Sequence, residues 1–394
     1  MSSVRPLLRA FAASAFLIAL PLASHAADPA DVAKRLKDAF SKQGIDLQWK
    51  DVSGSASSMM LSGVTAGAAG KDQRAAIGDI TLANVSEEGN AYVIGNVTLP
   101  SYNVEQQGAA VAMTGVSISG LRLPPPDSTD PLDSVMMYDK AQVGEISVKR
   151  EGKQVFDLSN FHVDVKRPEG DAPLKFSGAA DGFSADLSGV KDPKAKAAIS
   201  ALGYENVAGN FFMSGTWAPK TGEASLDSYK LVVKNAGTLD IGLKMSGYTP
   251  EFIRSLRAIR AKIASAPKDQ RNAQSMAMLG LLQQLSFGGM SVRFDDDSLT
   301  GKVLKYAAAQ EGMQPGDVAN QAKAMLPFAL ASLNNPDLTA QVTKAVSDFL
   351  DNPKNLAIVA TPPNPVPFAV IAAGAMSAPQ QLPQTLGVKM IANQ

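Results

Sequence analysis

Residues 223–247 read EASLDSYKLVVKNAGTLDIGLKMSG. Two strand-length runs, SLDSYKLVVKN and TLDIGLKMSG, meet at a NAG turn, and the run before them, NFFMSGTW, reaches them through APKTGE. Strand, short turn, strand is the pattern of an antiparallel meander. Upstream the same pattern gives QVGEISVKR, KQVFDLSNFHVDVKR and LKFSGAADGFSADLSG. A short helix, Pro193 to Leu202, interrupts it, capped by Asp192 and stopped by Gly203.

Further upstream lies a first β-block from Ile45 to Leu123, with the alternating segments IDLQW, ITLANV, AYVIGNVTL and VAMTGVSISGLRL. Pro124, Pro125 and Pro126 close it, and the polar stretch to Asp133 reads as a linker. A helix precedes the block: Asp28 caps it, Pro29 fits its first turn, Val32, Leu36, Ala39 and Phe40 share a face, and Gly44 ends it. An echo joins the blocks, since Ile77–Leu82 and Val143–Val148 both set Gly and an acid before an alternating strand.

From Thr249 the period changes to helical. Phe252, Leu256, Ile259 and Ile263 share one face of a first helix, with Arg254, Arg257 and Arg260 mostly off it. A second helix is predicted over Asp269–Leu285, then the strand MSVRF, then helices near Ser298–Gln310, Pro315–Leu333 and Pro336–Leu350. The end is expected to be extended through LAIVAT, PFAVIAAGAM and VKMIAN, the last strand pairing back on the sheet. The predicted fold class is α+β: a long, twisted, mostly antiparallel β-sheet (a meander) with a helical region packed on one face or end. The segments are 1–26, a signal peptide; 27–126, the N-terminal helix and first β-block; 127–248, the second β-block; 249–353, the helical region; and 354–394, the extended return.

The leader carries Arg5 and Arg9, an uncharged apolar run over residues 10–23, and Ser24-His25-Ala26 as a small-x-small site. This is a Sec-type signal peptide cut after Ala26, and it predicts a periplasmic protein. The run is too short to span a bilayer, which takes about 20 apolar residues, so no transmembrane anchor is expected in the mature chain.

Composition narrows the chemistry. With 37 basic and 37 acidic residues the chain lacks the basic excess of a nucleic-acid binder. It has no Cys, which removes disulfides, thiolate metal sites and Cys nucleophiles. His25 leaves with the leader, so His162 is the one histidine of the mature chain, and its alternation with Phe161 and Val163 makes it a strand residue, on a polar face or as a satisfied core histidine. No cofactor, metal site or catalytic residue is expected. Asn84-Val85-Ser86 and Asn96-Val97-Thr98 read as strand and turn positions.

Ser188-Gly189-Val190-Lys191, Tyr204-Glu205-Asn206 and Lys220-Thr221-Gly222 copy, in order, the motifs of exported serine β-lactamases and penicillin-binding proteins. That chemistry needs the serine at a helix start, so that the lysine one turn on faces its hydroxyl. Here the helix begins after Asp192, and Lys-Thr-Gly reads as a hairpin turn. Asp295, Asp296 and Asp297 form the densest acidic cluster but lack the ligand spacing of a calcium loop. They read as a turn, with Asp297 or Ser298 capping the next helix.

The helical part holds Met276, Met278, Met290, Met313 and Met325. Methionine adapts to irregular apolar surfaces. The candidate ligand-binding residues are therefore Met276, Leu279, Leu282 and Met325, lining an apolar groove.

At MSVRFDDDSLTGKVLKYAAAQEG and FLDNPKNLAIVATPPNPVPFAVI the C-terminal half resembles uncharacterised exported proteins of alphaproteobacteria, known as domains of unknown function. The meander SGTW…TGEASLDSYKLVVKNAGTLDIGLKMSG is similar to the β-segments of AsmA-like envelope proteins, without the N-terminal membrane helix usual there. The resemblance implies an envelope setting and a long antiparallel sheet, and transfers no catalytic residue. The function expected is a non-catalytic periplasmic envelope protein that binds lipid or another apolar ligand, or supports envelope assembly. The alternatives are a protein-interaction or structural module with an envelope partner and, remotely, an exported serine hydrolase.

Overall fold

Short turns between alternating strands favour pairing of each strand with its sequence neighbour. A computed structural model describes residues 27–71, 73–106, 108–167, 172–265, 271–331 and 334–394. The expected signal peptide, residues 1–26, lies outside the described residues. The strands form one 18-stranded sheet, every pairing antiparallel.

Two short strands, β1 (Ile45–Gln48) and β2 (Asp51–Ser55), share one side of β3 (Ser58–Ala68), which pairs with β4 (Arg74–Glu88) and that with β5 (Ala91–Leu99). A long bent hairpin follows. Its base is β5 against β8 (Val116–Leu123), and its tip is β6 (Tyr102–Gln106) against β7 (Ala109–Thr114). Both β7 and β8 pair with β9 (Lys140–Arg150). The meander then runs through β10 (Lys153–Lys166), β11 (Leu174–Asp186), β12 (Asn206–Ala218), β13 (Glu223–Val233), β14 (Gly237–Ser246) and β15 (Ser286–Asp296). Next to β15 lie β16 (Asn355–Ala360) and β17 (Val366–Pro367), and β18 (Val388–Ala392) closes the sheet on β16. The proline-rich stretch after Leu123 is thus a connection between adjacent strands of one sheet.

One helix precedes the sheet and the others sit in the connections. Helix α1 (Pro29–Lys42) starts where the Asp28 carboxylate accepts the Ala30 amide at 3.1 Å, and buries Val32, Ala33, Leu36 and Ala39. They meet Met59, Leu61, Leu82, Ile94 and Leu121 in the main core. Helix α2 (Pro193–Leu202) is capped by Asp192 through the Ala195 amide at 2.7 Å and ends on Gly203 in the left-handed region. Between β14 and β15 lie α3 (Pro250–Ser265) and α4 (Arg271–Leu282), and between β15 and β16 lie α5 (Leu299–Glu311), α6 (Pro315–Leu330) and α7 (Pro336–Asp351). At the sheet's last edge Gln341 of α7 accepts the Met390 amide at 3.3 Å, and the Asn393 side chain donates to the Asp348 carbonyl at 2.8 Å. The helix thereby covers an edge that would otherwise recruit foreign strands.

Two local expectations change. PFAVIAAGAM is not extended: Phe368–Ser377 forms helix α8, followed by the one-turn helix α9 (Leu382–Thr385). Strand β16 takes β18 as its outer partner, so the segment has no ladder to join, and its alanines favour a helix. The acid serving α5 is Asp296, not Asp297 or Ser298: its carboxylate accepts both the amide and the hydroxyl of Thr300 at 2.8 Å. The Ser298 hydroxyl donates instead to the Asn235 carbonyl.

Candidate functional site

Directly paired residues trace one apolar row across the molecule: Met59, Leu82, Val97, Ile118, Ala141, Val163, Gly178, Met213, Tyr229, Ile241, Val292, Ile358 and Met390. At about 4.8 Å per strand the row is roughly 55–60 Å long. Its cover changes along that length. Under α1, Leu82 is 0% and Val97 5% exposed. From Val163 on, the large side chains are only half-buried, and Ile358 is 38% exposed. Ala357, pointing to the opposite face, is buried. The helices at that end therefore cover the other side of the sheet.

Parallel rows widen the open floor. One runs Leu174, Trp217, Ala224, Met245, Phe287 and Val366; another runs Phe176, Gly215, Leu226, Leu243, Met290 and Ala360; a third runs Phe211, Leu231, Leu239, Phe294 and Leu356. Phe211 and Tyr229 pack edge to face with centroids 4.9 Å apart. Glycines on the same face seat neighbouring rings. A Cβ on Gly215 would lie 2.4 Å from the Phe176 ring, and one on Gly237 would lie 2.6 Å from the Phe294 ring. Absence of a side chain there lets the rings lie over the backbone.

The floor is bounded at both strand ends. At one, the 3-10 turn Pro131–Ser134 and the first turn of α3 bring Leu132, Val135 and Ile253 against Leu174 and Trp217. The Trp217 indole donates to the Tyr248 carbonyl at 2.6 Å, and the Tyr248 ring packs on Phe252. Beside this closure a cavity of about 400 Å³ is lined by Leu174, Phe176, Trp217, Leu226, Leu243, Met245 and Tyr248. At the other end the Asn235 carbonyl accepts from Tyr204 at 2.7 Å, from Lys302 at 3.1 Å and from Ser298, tying α2 and α5 to the β13–β14 turn.

Charge lies on the opposite face. Lys230 pairs with Asp240 at 3.7 Å, Ser228 donates to Asp240 at 2.9 Å, and Arg293 pairs with Asp295 at 2.7 Å. His162 is there too, its Nε2 3.6 Å from Asp164 and its Nδ1 3.2 Å from the Asn160 carbonyl.

The β-lactamase-like motifs are spread apart. Ser188 precedes the α2 cap, and its hydrogen bonds to Asp186 hold that carboxyl below its ordinary range. The Lys220–Gly222 turn lies beyond the far end of the 13-residue strand β12, roughly 40 Å away.

Of the four groove candidates, the three with described side chains do not converge on the floor. Leu279 is exposed on α4, Leu282 packs with Phe252, Leu281 and Leu285, and Met325 is exposed on α6. The side chain of Met276 lies outside the described residues. Helix α4 packs on α3 and α8, whereas α6 packs on α5 and α7. The signal for the floor in the sequence is alternation within the strands, Leu239, Ile241, Leu243 and Met245 above all, rather than methionine content.

A protein-family profile described as "Uncharacterized protein" matches residues 230–393, from the middle of β13 to the end of the sheet. A search of curated proteins finds no match. Among the described residues no helix is long and apolar enough to cross a membrane.

Proposed function

We propose that the protein is a non-catalytic component of the bacterial cell envelope, exported to the periplasm by its first 26 residues, that holds a lipid or another apolar ligand on the open face of its sheet. The observation that carries this reading is the apolar row that is sealed under α1 and uncovered from β10 to β18. Large apolar surfaces left in water mark binding sites, because their exposure costs free energy that a ligand recovers. Each methylene withdrawn from water contributes about 0.8 kcal/mol, so an extended acyl chain of about ten methylenes gains about 8 kcal/mol before ordering costs. A long apolar floor with its charges on the reverse face suits such a chain better than a compact polar metabolite. The similarity to AsmA-like β-segments supports the same reading.

The test is photo-crosslinking with a diazirine-bearing fatty acid, followed by peptide mapping. Label is expected on strands β11–β16, concentrated around Trp217, Leu226 and Leu243. No saturable labelling, or labelling confined to α4 and α6, would remove the reading.

A further inference from the structure

We propose that the polar cavity beside the closure at Trp217 holds the anionic head group, a carboxylate or a phosphate, of the ligand whose chain lies on the floor. This rests on the floor as a ligand site and adds the class of ligand, an anionic amphiphile. The cavity measures about 290 Å³ and lies where three elements meet. Lys42 reaches it from the last turn of α1, Ser128 and Thr129 from the connection before β9, and Arg254 and Arg257 from α3. Two acids share the lining, and each has a local partner: Ser128 donates to Asp133, and Asp130 accepts the Leu132 amide at 2.9 Å. Arg254 pairs with Glu251 at 3.7 Å, both side chains being exposed.

Residues three apart on a helix are neighbours, and the planar N–H donors of two adjacent guanidinium groups fit the oxygens of a carboxylate or a phosphate. The Lys42 ammonium and the Thr129 hydroxyl add further donors. Arg257 is half-buried, and burial pulls its guanidinium below its ordinary value while leaving it charged. A cation partly withdrawn from water gains more from an anion than an exposed one does. The cavity adjoins the floor. The turn that carries Asp133 also carries Leu132, and Ile253 precedes Arg257 by one helical turn; Leu132 and Ile253 both pack with Leu174 and Trp217. Tyr248 joins the two sides, because it lines the apolar cavity and lies within electrostatic reach of Arg257. A head group at the arginines therefore starts its chain at Tyr248 and Trp217, where the floor begins.

The experiment is isothermal titration of the full chain with dodecanoic acid, dodecyl phosphate and dodecanol, each as monomer, and with inorganic phosphate. The parent is compared with Arg254→Gln and with the double variant Arg254→Gln, Arg257→Gln. Dodecanol affinity reports that fold and floor are intact, and Arg254 is exposed, so the single variant carries the test if the double one is destabilised. The parent is expected to bind both anionic amphiphiles about tenfold more tightly than dodecanol, with part of that preference lost in the single variant and all of it in the double. Equal binding of anions and dodecanol by the parent, or a preference that survives in both variants, would overturn the proposal. So would inorganic phosphate that binds the parent, fails to bind the double variant and does not compete with dodecyl phosphate, which would assign the cavity to a free anion. The two readings fail separately: saturable dodecanol binding without a gain for the anions removes the head-group site alone, whereas no binding of any amphiphile removes the floor reading and the head-group site with it.

Discussion

Gly215 has no side chain, and that is its contribution to the sheet. A Cβ there would lie 2.2 Å from the Ser225 carbonyl oxygen and 2.4 Å from the Phe176 ring. Gly215→Ala must push the ring or the backbone aside, so a loss of about 1–3 kcal/mol is expected, seen as a lower urea midpoint with an unchanged slope. Alternation around such glycines was legible in the sequence, but their partners were not, because ring-over-glycine contacts depend on register between strands. The cap of α5 failed for a related reason: three consecutive aspartates look alike in sequence, and only the backbone's path selects Asp296. A second residue-scale test concerns Asp46. Arg74 donates to it at 2.6 Å, and that hydrogen bond holds the carboxyl below its ordinary value. A group depressed on folding stabilises the native state above its unfolded pKa, and the effect is lost as pH falls through the folded value. In a carboxyl-carbon NMR titration Asp46 should therefore protonate at lower pH in the parent than in Arg74→Met.

Among the elements, helices with a cap and a one-sided apolar face were legible, and α1, α2 and α7 lie within a residue or two of their expected limits. The segment that became α8 was not. It is apolar throughout, so it has neither period, and a uniform run of ten residues suits a strand or a helix equally. What decided it was the pairing of β16 with β18, a contact made across 28 residues of chain at Ala360–Val388 and 36 at Leu356–Ala392. Helix α7 shows an element whose work is to cover. Its buried Phe349 helps fix it over the last edge, and Phe349→Ala should cost about 3–5 kcal/mol. Light scattering should then show association growing with protein concentration, as the edge of β18 becomes available for pairing.

At the scale of the whole molecule, the sheet is one surface with two conditions. Its first strands are finished by α1 into an ordinary core, and its later strands carry the same apolar row without a matching lid among the described residues. The meander and its class could be read from turns and periods. The openness could not, because a strand facing a core and a strand facing a ligand alternate in the same way, and only the placement of the helices tells them apart. Composition pointed to the helices' methionines, while the floor came from the strands. The two tryptophans divide along this line: Trp49 packs against the closed core, and Trp217 lines the cavity on the open face. Bromine quenches indole fluorescence on contact, so a brominated fatty acid reports which tryptophan it touches. In Trp49→Phe, saturable quenching of Trp217 is expected; in Trp217→Phe, Trp49 should stay bright at the same concentrations. Quenching of neither tryptophan, or of both equally, would contradict an open face that binds an acyl chain.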